Sequence, residues 1–286
     1  MSAAIPTPRP PEGSWMLRPE RKAAWDYLHE AMECKRSRPP ADAYDEYTQG
    51  APVTHTAILR SLEQVYLHAP SVKDADLADF LGFVEAITFS VADHHRLEED
   101  FIFPRVNALT QTTIWQPVSD EHERFIPPVF ALWHYVRHCR TLLGVPQPSD
   151  IAEPWVSLDA IPTGVRNCLD FTSESEWDGA AVQRHMETFM LGFAQHIPFE
   201  AESSVAANLR KATAEDIGKL LGDLKKESFK TMNLHVQLPL VWTHNEMSDV
   251  KHFVVERPWL NRGLTWWFGG RHATWWKFSA YPQNLA

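Results

Sequence analysis

The chain has 286 residues, with 27 Lys and Arg against 37 Asp and Glu for a net charge of −10, and 44 % of its residues are hydrophobic. That composition excludes a disordered or collagen-like chain, and an acidic balance without a basic block excludes a nucleic-acid binder, whose affinity rests on clustered Lys and Arg. Cys34, Cys139 and Cys168 lie far apart with no CxxC pair, which excludes a disulfide framework and a thiolate zinc site. With no leader-like N-terminus and no run of 18 apolar residues, the expected compartment is the cytoplasm.

In chain order, a proline-rich lead-in over residues 1–12 precedes a helical pattern from Arg18 to Arg36 that stops at Pro39 and Pro40, because proline has no amide hydrogen to continue the ladder. Long-period helix then runs over Val53–Ala69, Asp76–Ala108 and Ile114–Gly144, with breaks at Pro70 and at Thr110–Thr113. Pro117 fits a first turn, whereas Pro127 and Pro128 predict a kink. Residues 145–175, with four prolines, read as an ordered crossover, long enough to span a bundle. Further helices are expected over Trp177–Arg210 and, from an N-cap at Thr213, to Met232. The tail over 233–286 reads as irregular. No sustained alternation marks a strand, so the expected class is all-α. Its parts are an N-terminal extension with one helix (1–50), a four-helix bundle (51–210), and a C-terminal helix with an aromatic tail packing on the bundle (211–286).

Histidines and carboxylates recur at helical spacing. Asp93-His94-His95-Arg96-Leu97-Glu98-Glu99 puts a carboxylate four residues after each of two histidines, and His196-Ile-Pro-Phe-Glu200 repeats the spacing. Residues four apart project from one helix face one turn apart. Glu99 and His122 are each nine residues from the expected break between their helices at 108–113. His122 and His196, then His55 and His95, are level within about one turn by the same reckoning. Four histidines (His55, His95, His122, His196) with Glu99 and Glu200 thus converge as a ligand set for two bridged metal ions. Imidazole with carboxylate and no thiolate suits Fe, with Mn or Zn as less selective substitutes. His94 with Glu98 has the same spacing as His95 with Glu99.

The segments His94-His95-Arg-Leu-Glu-Glu99-Asp-Phe-Ile-Phe-Pro104, Glu121-His122-Glu123-Arg-Phe-Ile126 and His196-Ile-Pro-Phe-Glu200 resemble the successive motifs of the hemerythrin-like (HHE cation-binding) family over residues 50–210. The resemblance implies an up-down four-helix bundle with a non-heme di-iron centre. His55 and His95 would hold one iron and His122 and His196 the other, with Glu99 and Glu200 bridging. It favours Glu99 over Glu98, because Ile102 follows Glu99 at the family's ligand-to-core spacing. Val118 stands where oxygen carriers have a further histidine. The six-ligand set therefore looks more like an iron-sensing domain, or like relatives with oxidase or peroxide chemistry.

The function expected is binding or activation of O2 or a related small oxidant, with oxidation of a small organic substrate as its extension. The alternative is an iron- or oxygen-sensing protein without catalysis. Glu123 is expected at the surface or behind an imidazole, His185 as a packed histidine, and His134 and His138 at the surface. Tyr66 is not expected at the metals. The tail, with Trp259, Trp266, Trp267, Trp275, Trp276 and the bases Arg257, Arg262, Arg271 and Lys277, is expected to wrap the bundle rather than touch a membrane.

Overall fold

The computed structural model describes residues 5–37, 40–166, 168–172, 177–203, 206–250 and 258–285. Arg257 and the side chain of Arg262 fall outside this description. Among the described residues every regular element is helical and there is no strand, so the chain is all-α. No helix of the described residues is long and apolar enough to cross a membrane.

Helix α1 (Pro19–Ser37) has Glu20 in its first turn and Lys35 and Arg36 in its last, the charge order that the helix dipole favours. It buries the i, i+4, i+8 stripe Ala24, Leu28 and Met32. Asp42 caps the short α2 (Ala43–Thr48), accepting from the Tyr44 and Asp45 amides. Next comes α3 (Ala51–His68), buried at every position except Ala51, Thr54 and Arg60. A helix apolar on all sides must be covered on all sides. One cover is α1, held by Glu63 of α3, which accepts from Arg21 Nε at 2.7 Å and Trp25 Nε1 at 2.8 Å.

Helix α4 (Asp74–Leu97) runs through a π-helical turn (Glu98–Ile102) into α5 (Phe103–Thr110), where the sequence reads as one regular helix. Pro104 supplies a cause: its missing amide hydrogen and its ring exclude an α-helical bond to the carbonyl four residues back. Gln111, at φ 53°, ends α5. Helix α6 (Gln116–Leu142) carries Pro117 in its first turn, as expected, and Pro127 and Pro128 inside. It is joined to α4 by Glu85, fully buried, which accepts from Arg137 at 2.9 Å with Arg140 Nε at 3.5 Å.

The crossover is ordered where it is described. It buries Ile151, Ile161 and Leu169 and includes the single turn α7 (Thr163–Arg166). His134, expected at the surface, is half-buried and donates from Nε2 to the Val156 carbonyl.

The expected helix over Trp177–Arg210 is broken into α8 (Gly179–Glu187), α9 (Met190–Ser203) and α10 (Ala206–Leu209). Between α8 and α9, Thr188 Oγ1 bonds the His185 carbonyl at 2.7 Å, competing with the backbone ladder as short hydroxyl side chains do. Gly179 is required: a Cβ there would lie 1.8 Å from the Ala69 carbonyl oxygen.

Helix α11 (Ala214–Thr231) starts at the expected cap, Thr213 Oγ1 accepting from the Asp216 amide. The tail corrects the irregular reading, because it holds α12 (Gln237–His244), α13 (Met247–Val250) and α14 (Pro258–Gly270). Such short helices set up no sustained period that a sequence would show. Helix α12 is the second cover of α3. Trp275 and Trp276 are buried, Trp275 against Gly82 of α4, but Trp259, Trp266 and Trp267 are exposed. One apolar cluster runs from Trp15 and Leu28 through α3, α4, α6 and α9 to Trp242 and Phe278.

Candidate metal centre

Helices α3, α4, α6 and α9 each bring at least one histidine to a common buried point. His95, His122 and His196 place one ring nitrogen apiece within 4.8 Å of one another, and His55, His94 and Glu98 form a second such group. Carboxylates link the two. Glu98 turns Oε1 to His94 Nε2 at 3.1 Å and Oε2 toward His122 Nε2 at 3.7 Å. Glu200 Oε2 lies 3.2 Å from His55 Nε2 and 3.5 Å from His196 Nε2. The arrangement is therefore three histidines on one side, two on the other, and two carboxylates between.

The outer nitrogens of the three-histidine group are held by the surrounding protein. His95 Nδ1 donates to the Val91 carbonyl at 2.7 Å, His122 Nδ1 to Glu99 at 2.6 Å, and His196 Nδ1 to Glu121 at 3.3 Å. A donor bond at Nδ1 selects the tautomer whose Nε2 carries a lone pair, the pattern typical of metal-ligating histidines. Two such lone pairs, on His122 and His196, face each other at 3.3 Å, an arrangement that needs positive charge between them. His95 Nε2, Glu98 Oε2 and Glu200 Oε2 are buried and take no hydrogen bond. Buried polar atoms are ordinarily satisfied, and these share one focus, so the donor set fits a pair of metal ions. The described cluster holds no thiolate, since all three cysteines lie elsewhere.

Electrostatics agree with a cation site. Burial pushes His55 down to about 4 against the pull of Glu200, and burial with the neighbouring His122 and His94 pushes His95 well below its ordinary value. Burial would raise Glu200, yet His55 and His196 outweigh it and hold the carboxyl below its usual range. His55 and His95 are thus kept free of protons and Glu200 ionised, the states that ligands require. In His196 and His94 burial is instead outweighed by carboxylates, Glu121 and Glu200 lifting His196 to about 9 and Glu98 lifting His94, so these two favour bound positive charge.

Five of the six residues expected as ligands, His55, His95, His122, His196 and Glu200, face the focus. The sixth, Glu99, lies one position along the π turn, behind His122 and bonded to Ser119 Oγ at 2.6 Å. The carboxylate facing inward from that turn is Glu98, with His94 beside it. The grouping also differs from that implied by the family, since His95 stands with His122 and His196 while His55 pairs with His94. Sequence reasoning passed over Glu121 as an orienting group; its signal was its place next to His122 on the same ligand-bearing helix. It also passed over Tyr27, Tyr47 and Lys35, which the folding of α1 and α2 brings over the site.

Glu123 is exposed. His185 is buried and bonds the Pro128 carbonyl at 2.9 Å. Tyr66 is turned away, its hydroxyl on Glu187. His138 is half-buried rather than at the surface.

Fold and site together define a class: an all-helical protein with a buried histidine–carboxylate cluster. No protein-family model matches the chain, and no solved structure matches it. A stretch of 58 residues is 36 % identical to the dimeric xanthone biosynthesis cluster protein R11 of Cryptosporiopsis sp. (strain 8999). That match spans 20 % of this chain and 22 % of that protein.

Proposed function

We propose that this chain is a non-heme di-iron protein of hemerythrin-like architecture, with α3, α4, α6 and α9 as its four-helix bundle, that binds or activates O2 or a related small oxidant. The observation that carries the reading is the three-plus-two division of histidines around two shared carboxylates. His95, His122 and His196 would hold one ion and His55 and His94 the other, with Glu98 and Glu200 bridging. Iron there supplies redox electrons and open coordination positions for a small oxidant.

The chain's own residues set the rest. Glu99, Glu121 and the Val91 carbonyl fix the imidazoles, so the ligands need no rearrangement to bind. The two-histidine side, with Glu98 and Glu200, lines a cavity to which His95, His122 and His196 do not contribute, so small molecules reach the centre from that side. Burial, with Glu200 and Glu98 adding to it, keeps the Tyr47 phenol protonated far above neutral pH. It therefore holds a proton at Oη on the wall of that cavity.

The test is metal content. His95→Ala and His196→Ala are each expected to lose iron, while His134→Ala, which removes only the bond to the Val156 carbonyl, keeps it. Equal iron in all three variants contradicts the assignment.

A further inference from the structure

The cavity over the two-histidine side has a volume of about 640 Å³, within the range of small-molecule sites. Its floor is His55, His94, Glu98 and Glu200, and its walls include Tyr27, Tyr47, Phe103, Leu221 and Leu224. Burial, then Glu200, holds the Tyr27 phenol up to about 12, so that wall is neutral. Leu221, Leu224 and Ser228 of α11 reach the cavity at i, i+3 and i+7, the spacing of a single helix face.

Lys35 is the cation in this lining that is not out in solvent. It is half-buried, its Nζ donates to the Gln49 carbonyl at 3.2 Å, and burial pulls its pKa down against the effect of Asp249. Among the described residues no carboxylate forms an ion pair with it, and Asp249 is engaged by Arg36 at 2.5 Å. Exposed Lys225 adds positive charge to the same cavity. Tyr27 and Lys35 are eight residues apart on α1, hence about 12 Å apart along its axis. The lining is therefore polar in two places, the Lys35 ammonium, which shares the wall with Asp249 (held by Arg36) and exposed Glu46, and the histidine–carboxylate floor, with rings and leucines making up the other walls.

We propose that this cavity binds a flat aromatic carboxylate, its anionic end on Lys35 Nζ and its ring end over His55 and His94. The floor's chemistry rests on the proposed di-iron function, whereas the binding itself does not. A half-buried ammonium gains a charge-assisted bond that the Gln49 carbonyl cannot equal. The apolar walls exclude water and favour ring surface over a flexible chain.

The experiment uses the full chain, metal-free and iron-loaded, with 2-naphthoate and its neutral methyl ester as calorimetric probes. Wild type is expected to bind the acid about tenfold more tightly than the ester, a loss of about 1.4 kcal/mol on removing the charge. Lys35→Met is expected to abolish that preference and Lys35→Arg to keep it. Leu224→Trp, which fills the cavity, is expected to lose both ligands without changing iron content. Equal binding of acid and ester, indifference to Lys35→Met, or no saturation at millimolar acid overturns the proposal. Lys35-dependent binding in a wild type that takes up no iron overturns the di-iron function and leaves the cavity assignment standing. Iron without naphthoate binding does the reverse.

Discussion

Glu98 and Glu99 are consecutive, yet one turns its carboxylate between His94 and His122 while the other bonds the outer nitrogen of His122. The difference yields a sharp expectation. Glu98→Ala removes an oxygen donor from both metal positions and is expected to abolish stable iron binding. Glu99→Gln leaves the donors in place but weakens the hold on one imidazole, and is expected to cost about 10- to 100-fold in affinity, the usual effect of losing an outer-shell partner. Iron titration of both variants decides. Retention by Glu98→Ala together with loss in Glu99→Gln would reverse the two roles. The spacing of four residues was legible in the sequence for both pairs, but the choice between them was not. It depends on a π turn, and a helix that gains one residue per turn leaves no mark in a periodicity count.

At the scale of elements, the four ligand-bearing helices were legible because their apolar period is long and their breaks carry proline or good caps. The level matching of His55, His95, His122 and His196 needed only the outer bounds of the helical segments, which lie within a few residues of the expected ones even though the fourth is broken into α8, α9 and α10. Two things could not be read. Thr188 ends α8 by a side-chain bond to a carbonyl, a choice made only when the helix packs. The covers of α3 come from α1 and α12, far away in sequence, so a helix that reads merely as hydrophobic gave no clue to what would bury it. The joint between α4 and α6 carries its own expectation. Glu85 is a buried carboxylate facing two arginines, and removing one partner of such a group leaves uncompensated charge. Glu85→Ala is expected to destabilise the fold by about 3–5 kcal/mol, measured by urea unfolding. A change below about 1 kcal/mol would show that Arg137 and Arg140 are served by solvent instead.

For the whole molecule, stability should depend on pH through histidines buried as neutral rings. Burial lowers His68 to about 4 and His244 to about 3; His68 packs its ring edge on Phe80 and Phe278. Both are neutral in the fold and protonate near pH 6.5 when unfolded. Their contribution is therefore complete above pH 6.5 and is lost as pH falls toward 4 and 3, at about 1.4 kcal/mol per pH unit for each. His55 and His95 add in the same sense in metal-free protein. His68→Leu is expected to show a shallower fall in unfolding free energy between pH 6.5 and 4.5 than wild type, and an unchanged slope would contradict this. The apolar core extends well beyond the metal centre, from Trp15 to Phe278. Chelation is accordingly expected to lower the Tm while leaving the helix content, whereas collapse of the helical signal would favour a sensor whose folded state reports the metal.

The most direct measurement is iron per chain on protein purified without an affinity metal and loaded anaerobically, with the visible spectrum recorded before and after reduction and exposure to air. Close to two Fe per chain, with an absorption band that disappears on reduction and returns in air, is the predicted result. No bound transition metal after loading would make the histidine–carboxylate cluster a structural feature and contradict the di-iron assignment.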